Sequence, residues 1–148
     1  MIVLIINGPN LNLLGVREEK HYGSISLSQI NKELSLCAKK MRIELLYFQS
    51  NHEGKIIDCI QKERKRISGI LINAGALTHY GYSLRDALSD TQLPVVEVHL
   101  SNIFAREPFR RTDIISDIVI GGVFGFKKNS YCLGLIALVD FIKIHQKK

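Results

Sequence analysis

Five short apolar runs, rich in β-branched residues, divide the chain at fairly even intervals: Ile2–Ile6, Ile43–Phe48, Gly69–Ile72, Val95–Val98 and Ile118–Phe124. Each has the length and composition of a strand buried on both faces. Between them the apolar residues recur at three to four positions, which is helical spacing. Leu27, Ile30, Leu34 and Cys37 form the first such stripe, with Ser24 or Ser26 available as an N-cap. Ile56, Ile57 and Ile60 follow Gly54, then come Leu84 and Leu88, and finally Leu135, Leu138, Val139 and Ile142.

Strands alternating with helices imply an α/β protein whose parallel sheet is covered on both faces. Five such units predict a flavodoxin-like, doubly wound five-stranded parallel sheet, although the pattern does not fix the strand order. With 148 residues and 46% hydrophobic content, the chain suits a single domain spanning residues 1–148. No Pro-, Gly- or Ser-rich linker, repeat or low-complexity segment divides it. The opening run MIVLII is broken at once by Asn7-Gly8-Pro9-Asn10, is too short for a signal-peptide core and lacks a basic leader. No run is long enough to span a membrane. Cys37, Cys59 and Cys132 lack metal-ligand spacing and fall on apolar helix faces. They are expected to be buried free thiols, consistent with a reducing cytoplasm.

The net charge of +6 favours acidic partners without choosing among them. Lys62, Arg64, Lys65 and Arg66 sit where a helix ends, and Lys147 and Lys148 form a tail. A nucleic-acid surface would interleave such cations with aromatics or carry a recognisable motif, and neither is present. The distribution of polar residues says more. In a doubly wound sheet, ligands bind beyond the carboxyl ends of the strands. Asn7, Asn10, Asn12, Arg17 and Tyr22 follow the first strand; Gln49, Ser50, Asn51, His52 and Glu53 the second; Asn73, Thr78 and His79 the third. The segment from Pro94 to Arg111 then brings Glu97, His99, Ser101, Arg106, Arg110 and Arg111 together after the fourth. The chemistry-bearing side chains therefore collect on one rim.

Several occupants of that rim do not fit. There is no phosphate-binding loop of the G-x-x-x-x-G-K-[ST] or G-x-G-x-x-G kind. The first turn is Asn-Gly-Pro-Asn, unlike the Ser/Thr/Gly-rich turn that would cradle a flavin phosphate, and the positions where a phosphoacceptor domain needs carboxylates carry Asn. His52, His79 and His99 lie on separate loops without a close ligand pair, so no metal site is expected. What remains is a cofactor-free set of His, Tyr, Asn and Arg, suited to proton transfer with donors holding developing negative charge.

The segments NGPNLNLLGVREEKHYG, FQSNHEGKIID, ILINAGALTHYGYSLRDAL and EVHLSNIFAREPFRR, in order over nearly the whole chain, resemble the motif blocks of the type II 3-dehydroquinate dehydratases. That resemblance implies a shikimate-pathway enzyme needing neither metal nor organic cofactor, which converts 3-dehydroquinate to 3-dehydroshikimate by anti elimination through an enolate. It assigns the base to Tyr22, activated by Arg17 and Arg106, and the general acid to His99. Glu97, two residues earlier on the same strand face, would orient the imidazole. Asn10 is assigned to the enolate through an ordered water. The substrate carboxylate falls to the backbone amides around Leu100 and Ser101 and to Asn73, and the ring hydroxyls to His79 and Arg110. Asp86 is carried over as a residue reaching a neighbouring subunit's site, in a homo-oligomer that the family builds as a dodecamer of trimers. Gly15 to Gly23 is expected to form a lid over the substrate, and Arg111 receives no role.

Between Gly125 and Tyr131 the family has further glycines, where this chain has Phe126, Lys127, Lys128, Asn129 and Ser130. The departure bears on a turn or a subunit contact. Two other readings stay open at this stage: a flavodoxin-like small-ligand or protein-binding module without catalysis, and another cofactor-free lyase or isomerase acting on a related polyhydroxy acid.

Overall fold

The computed structural model describes residues 1–16 and 24–146. Its centre is a sheet of five parallel strands, β1 (Ile2–Asn7), β2 (Glu44–Gln49), β3 (Gly69–Asn73), β4 (Val95–His99) and β5 (Gly121–Phe124), in the order β2-β1-β3-β4-β5. Helices α1 (Leu27–Met41), α2 (Glu53–Glu63), α3 (Tyr82–Asp90) and α4 (Asn129–Gln146) cover it. The architecture is the flavodoxin-like doubly wound α/β fold, and its order places the topological switch point between β1 and β3.

Alternation along the central strands explains the two layers. Val3 and Ile5 of β1, Leu71 of β3 and Val96 and Val98 of β4 face one core shared with α1 and α4. Leu4 and Ile6, Ile70 and Ile72, and Val95 face the other, shared with α2 and α3. Burying both faces requires near-continuous apolar sequence, which is what β1, β3 and β4 have. The helix expected over Leu27–Cys37 starts at Ser26. Its hydroxyl accepts from the Gln29 backbone N–H while the Gln29 side chain reaches back to the Ser26 N–H, a full capping box.

Two expectations are corrected. The apolar run Ile118–Phe124 is only partly strand: β5 begins at Gly121, after the Ile118 and Val119 N–H groups fold back onto the Ile115 carbonyl. Ile118 and Val119 still reach the core, but from a turn, so their burial carries no strand periodicity. The three cysteines are free but half-buried, because they lie on the flanks of the helices. The Cys132 thiol is pushed up to about 11 by burial and by Cys37 beside it. Among the described residues no helix is long and apolar enough to cross a membrane.

The turn where the chain departs from its resemblance is locally closed. Gly125 and Lys127 both take positive φ, at 91° and 52°. The Phe126 N–H donates to Ser130 Oγ, and Lys128 Nζ lies 2.6 Å from Glu33 Oε1 on α1. The segment thus ties the start of α4 to α1 and, through Gly125 and Lys127 N–H groups that donate to the His99 and Leu100 carbonyls, to the end of β4 on the same rim as the polar loops.

Candidate active site

A cavity of about 190 Å³ opens at the carboxyl ends of β1, β3 and β4, beside the switch point. Its floor depends on a close approach of two loops. A Cβ on Gly8 would lie 2.3 Å from the Ala74 carbonyl oxygen, and Gly75, at φ 59°, passes close to the Pro9 carbonyl. Only glycine lets the loops after β1 and β3 meet there.

The loop after β1 contributes Asn10, held in the left-handed region at φ 67°. Asn tolerates that conformation better than most residues. The Asn51 side chain holds it by accepting from the Asn10 N–H at 2.9 Å. Asn51 thereby serves the turn that carries Asn10, and its neighbours likewise serve the scaffold. Ser50 Oγ accepts from the His52 N–H, and Glu53 Oε1 accepts from the Leu84 N–H in the first turn of α3.

From β3 come Asn73 and His79. Asn73 is buried, and its Oδ1 accepts from the Gly75 N–H at 3.1 Å. Its Nδ2 donates to the Tyr131 hydroxyl at 3.0 Å, and that hydroxyl donates to Asn7 Oδ1 at 2.6 Å. The Asn73 amide is therefore locked in one orientation, with one N–H left over. His79 donates from Nδ1 to the Thr112 carbonyl at 2.7 Å. Burial above all holds its pKa below the ordinary histidine range. The charges of His99 and Arg110 add to the effect, and the Thr112 carbonyl opposes it. A neutral ring protonated at Nδ1 leaves Nε2 as an acceptor.

At the end of β4, Glu97 and His99 face the same side, as their spacing predicted. His99 Nε2 lies 2.7 Å from Glu97 Oε1. Thr78, in the 3-10 turn Gly75–His79, donates its hydroxyl to the same oxygen. Glu97 has no exposed surface. Burial works to raise its pKa, but the hydrogen bonds and charge of His99, with Thr78, outweigh it and hold the carboxylate below its ordinary range. The bond to Glu97 fixes the imidazole tautomer and leaves Nδ1 toward the cavity.

Beyond β4, Leu100, Ser101, Arg106 and Arg110 complete the lining. Arg106 Nη1 donates to Ser101 Oγ at 3.3 Å. Arg110 is braced by Glu107, with Nε 2.5 Å from Oε2, and its guanidinium lies 4.8 Å over the Phe109 ring. Arg110 holds the Glu107 carboxyl down to about 2. The exposed Arg111 lies outside the lining.

The structure thus gathers Asn10, Asn73, His79, His99, Leu100, Ser101, Arg106 and Arg110 around one cavity, with Glu97 behind His99. Asp86 is not among them: its side chain is 76% exposed on α3, 3.7 Å from Arg85. Tyr22, Arg17 and most of the expected Gly15–Gly23 lid lie outside the described residues. Sequence reasoning assigned no role to Thr78 or Asn7, and it missed Tyr131, Glu107 and Asp113 altogether. Tyr131 had one available signal, a phenol on the core side of an apolar helix, which needs a buried partner. Among the described residues no three His, Cys, Asp or Glu side chains are grouped to hold a metal ion.

The arrangement offers an imidazole backed by a carboxylate, two guanidiniums and several fixed amides around a small polar cavity. Such a set can bind a polyhydroxylated carboxylate and move protons on it. Comparison with known proteins agrees in kind. A family model described as dehydroquinase class II matches residues 1–139. A 3-dehydroquinate dehydratase of Prochlorococcus marinus subsp. pastoris is 52% identical over 145 residues, covering 98% of this chain and 99% of that protein. One from Carboxydothermus hydrogenoformans is 50% identical over 143 residues, covering 97% and 93%. The crystal structure of a type II dehydroquinase from Butyrivibrio crossotus superposes with a TM-score of 0.88 at 39% identity, covering 97% of each chain.

Proposed function

This chain belongs to the class II dehydroquinase family and is a lyase that dehydrates 3-dehydroquinate to 3-dehydroshikimate in the shikimate pathway, and on that premise we propose how its residues divide the work. Dehydration removes a weakly acidic proton beside a ketone and expels the hydroxyl of the next carbon. Tyr22 takes the proton. A phenol ionises near pH ~10, so it acts as a base only when nearby cations favour the phenolate; Arg17 and Arg106 supply that charge. The electron pair moves into an enolate, whose oxygen is held by a water on Asn10.

The enolate then collapses, the carbon–oxygen bond on the opposite face breaks, and His99 protonates the departing hydroxyl so that it leaves as water. The single observation that carries this assignment is the 2.7 Å contact of Glu97 Oε1 with His99 Nε2. A carboxylate at Nε2 stabilises the imidazolium, and Nδ1–H is then the proton aimed at the cavity. The substrate carboxylate sits on the Leu100 and Ser101 amides and the spare N–H of Asn73. His79 Nε2 accepts from one ring hydroxyl, and the fork of Arg110 donates to another.

Residues 1–148 act as one catalytic domain without metal or organic cofactor. Asp86, exposed on α3, completes a neighbouring subunit's site within a trimer, four of which form a dodecamer. The absence of any membrane-crossing helix among the described residues is compatible with a cytoplasmic enzyme. A test of the whole reading mixes purified protein, 3-dehydroquinate and a metal chelator and follows the conjugated enone by absorbance. Wild-type protein forms it, and Tyr22→Phe binds substrate without turnover. Substantial turnover by Tyr22→Phe would remove Tyr22 as the base.

A further inference from the structure

Behind His99 the polar inventory does not close with Glu97. Both hydrogen bonds to the Glu97 carboxylate, from Thr78 Oγ1 and His99 Nε2, arrive at Oε1. Its Oε2 is buried and receives no donor. The carboxyl of Asp113 interacts directly with Glu97 and shows the same shortage. Asp113 Oδ1 accepts from the Ile115 N–H at 3.1 Å, whereas Oδ2 is buried without a donor. Two buried oxygens that can only accept, on carboxyl groups that interact directly, are reconciled by one proton between them.

We infer that Asp113 carries that proton and donates it to Glu97 Oε2, making a hydrogen-bonded row Asp113–Glu97–His99 in which Asp113 positions the general acid from behind. The inference rests on the assignment of His99 as the acid in the dehydration proposed above.

The proton's place on Asp113 follows from the surroundings. Acting on Glu97 are His99, Thr78 and Asp113; acting on Asp113 are Glu97 and the backbone amides of Ile115 and Ser116; His79 senses Glu97 from the 3-10 turn. Glu97 has a hydroxyl and an imidazole to stabilise its charge, and Asp113 has only backbone amides. Burial and the Glu97 carboxylate push the Asp113 carboxyl up to about 7, while Glu97 stays below its ordinary range. The pair titrates as a unit carrying a single charge.

The backbone holds Asp113 in place. The Ile114 N–H donates to the Thr78 carbonyl at 3.0 Å, and Ile115 is fully buried in the α2–α3 core. Thr78 therefore braces both carboxyl groups, one through its hydroxyl and the other through its carbonyl. A donor on Oε2 keeps Glu97 in the rotamer that meets His99. It also withdraws charge from Oε1, so the imidazolium is stabilised without its proton being held too firmly for transfer.

Two substitutions and one spectrum test the row. Asp113→Ala orphans Glu97 Oε2, whereas Asp113→Asn retains a donor without a titratable proton. Asp113→Ala is expected to lower kcat about tenfold or more with KM changed less than about threefold, and Asp113→Asn to restore kcat to within about threefold of wild type. Infrared difference spectra at about pH 6, where exposed carboxyls are ionised, should show a protonated-carboxyl stretch in wild type that is missing from Asp113→Asn. The spectrum needs no turnover and uses the isosteric variant, so it stands if Asp113→Ala does not fold. Absence of that band, an unchanged kcat in Asp113→Ala, or a loss confined to KM overturns the inference. Wild-type protein that forms no enone refutes the function itself, an outcome the spectrum does not share.

Discussion

The Tyr131 hydroxyl stands between two asparagines from neighbouring strands, accepting from Asn73 Nδ2 at 3.0 Å and donating to Asn7 Oδ1 at 2.6 Å. Asn7 and Asn73 are paired in register at the ends of β1 and β3, so one phenol on α4 sets the polar floor of the cavity at the switch point. Burial pushes its pKa up, and it stays a neutral donor across the working range.

Tyr131→Phe should therefore cost stability and substrate binding together. The ring still fills its space, but Asn7 Oδ1 loses its donor inside the core, a loss of about 1–3 kcal/mol. Urea denaturation should show that loss, and kinetics should show KM rising more than kcat falls, because Asn73 is freed to rotate. Unchanged stability would mean that water replaces the hydroxyl.

A second expectation concerns Asn51. Its Oδ1 is the acceptor that pins the Asn10 N–H in a left-handed turn. Asn51→Ala should lower kcat about tenfold, short of the ~10²–10³ typical for removing an oxyanion donor outright. Asn10→Ala, which removes the group itself, should fall in the larger range. If the two variants lost activity equally, Asn10 would be acting only as a turn residue.

Asp113 gives the protein a pH-dependent stability of unusual sign. An acid whose pKa is higher folded than unfolded binds its proton more tightly in the native state. The stabilisation is complete below the unfolded aspartate pKa of ~3.9 and is lost as pH rises toward about 7. Glu97, held low, works in the opposite direction, so the effect is read as a difference. Between those limits, wild type should lose stability relative to Asp113→Asn as pH rises, measured by urea midpoints at each end. Parallel curves would place the Asp113 carboxyl at its ordinary value.

What the sequence made legible follows from the range of the interactions. The three central strands announce themselves because burial on two faces demands unbroken apolar runs. Glu97 and His99 could be paired because a strand puts i and i+2 on one face. The capping box at Ser26 was half readable from Ser26 and Gln29. Less legible were the contacts between distant segments. Asn73 and Tyr131 are 58 positions apart, and nothing local in either predicts the other. Asp113 sits in the loop between Arg111 and β5, where the sequence offered no signal of a role. Its partner becomes visible only when that loop folds back onto Thr78. Asp86 could be named from resemblance alone, since its exposed position on α3 offers its own cavity nothing.

The most direct measurement of the division of labour uses His99→Ala with 3-dehydroquinate in deuterated water. If Tyr22 removes the proton and His99 only releases the hydroxyl, dehydration should fall about 10²–10⁴-fold. Exchange of the hydrogen beside the ketone for solvent deuterium should continue in recovered substrate. Dehydration at a rate close to wild type, or exchange lost in step with it, would contradict the assignment of His99 as the acid.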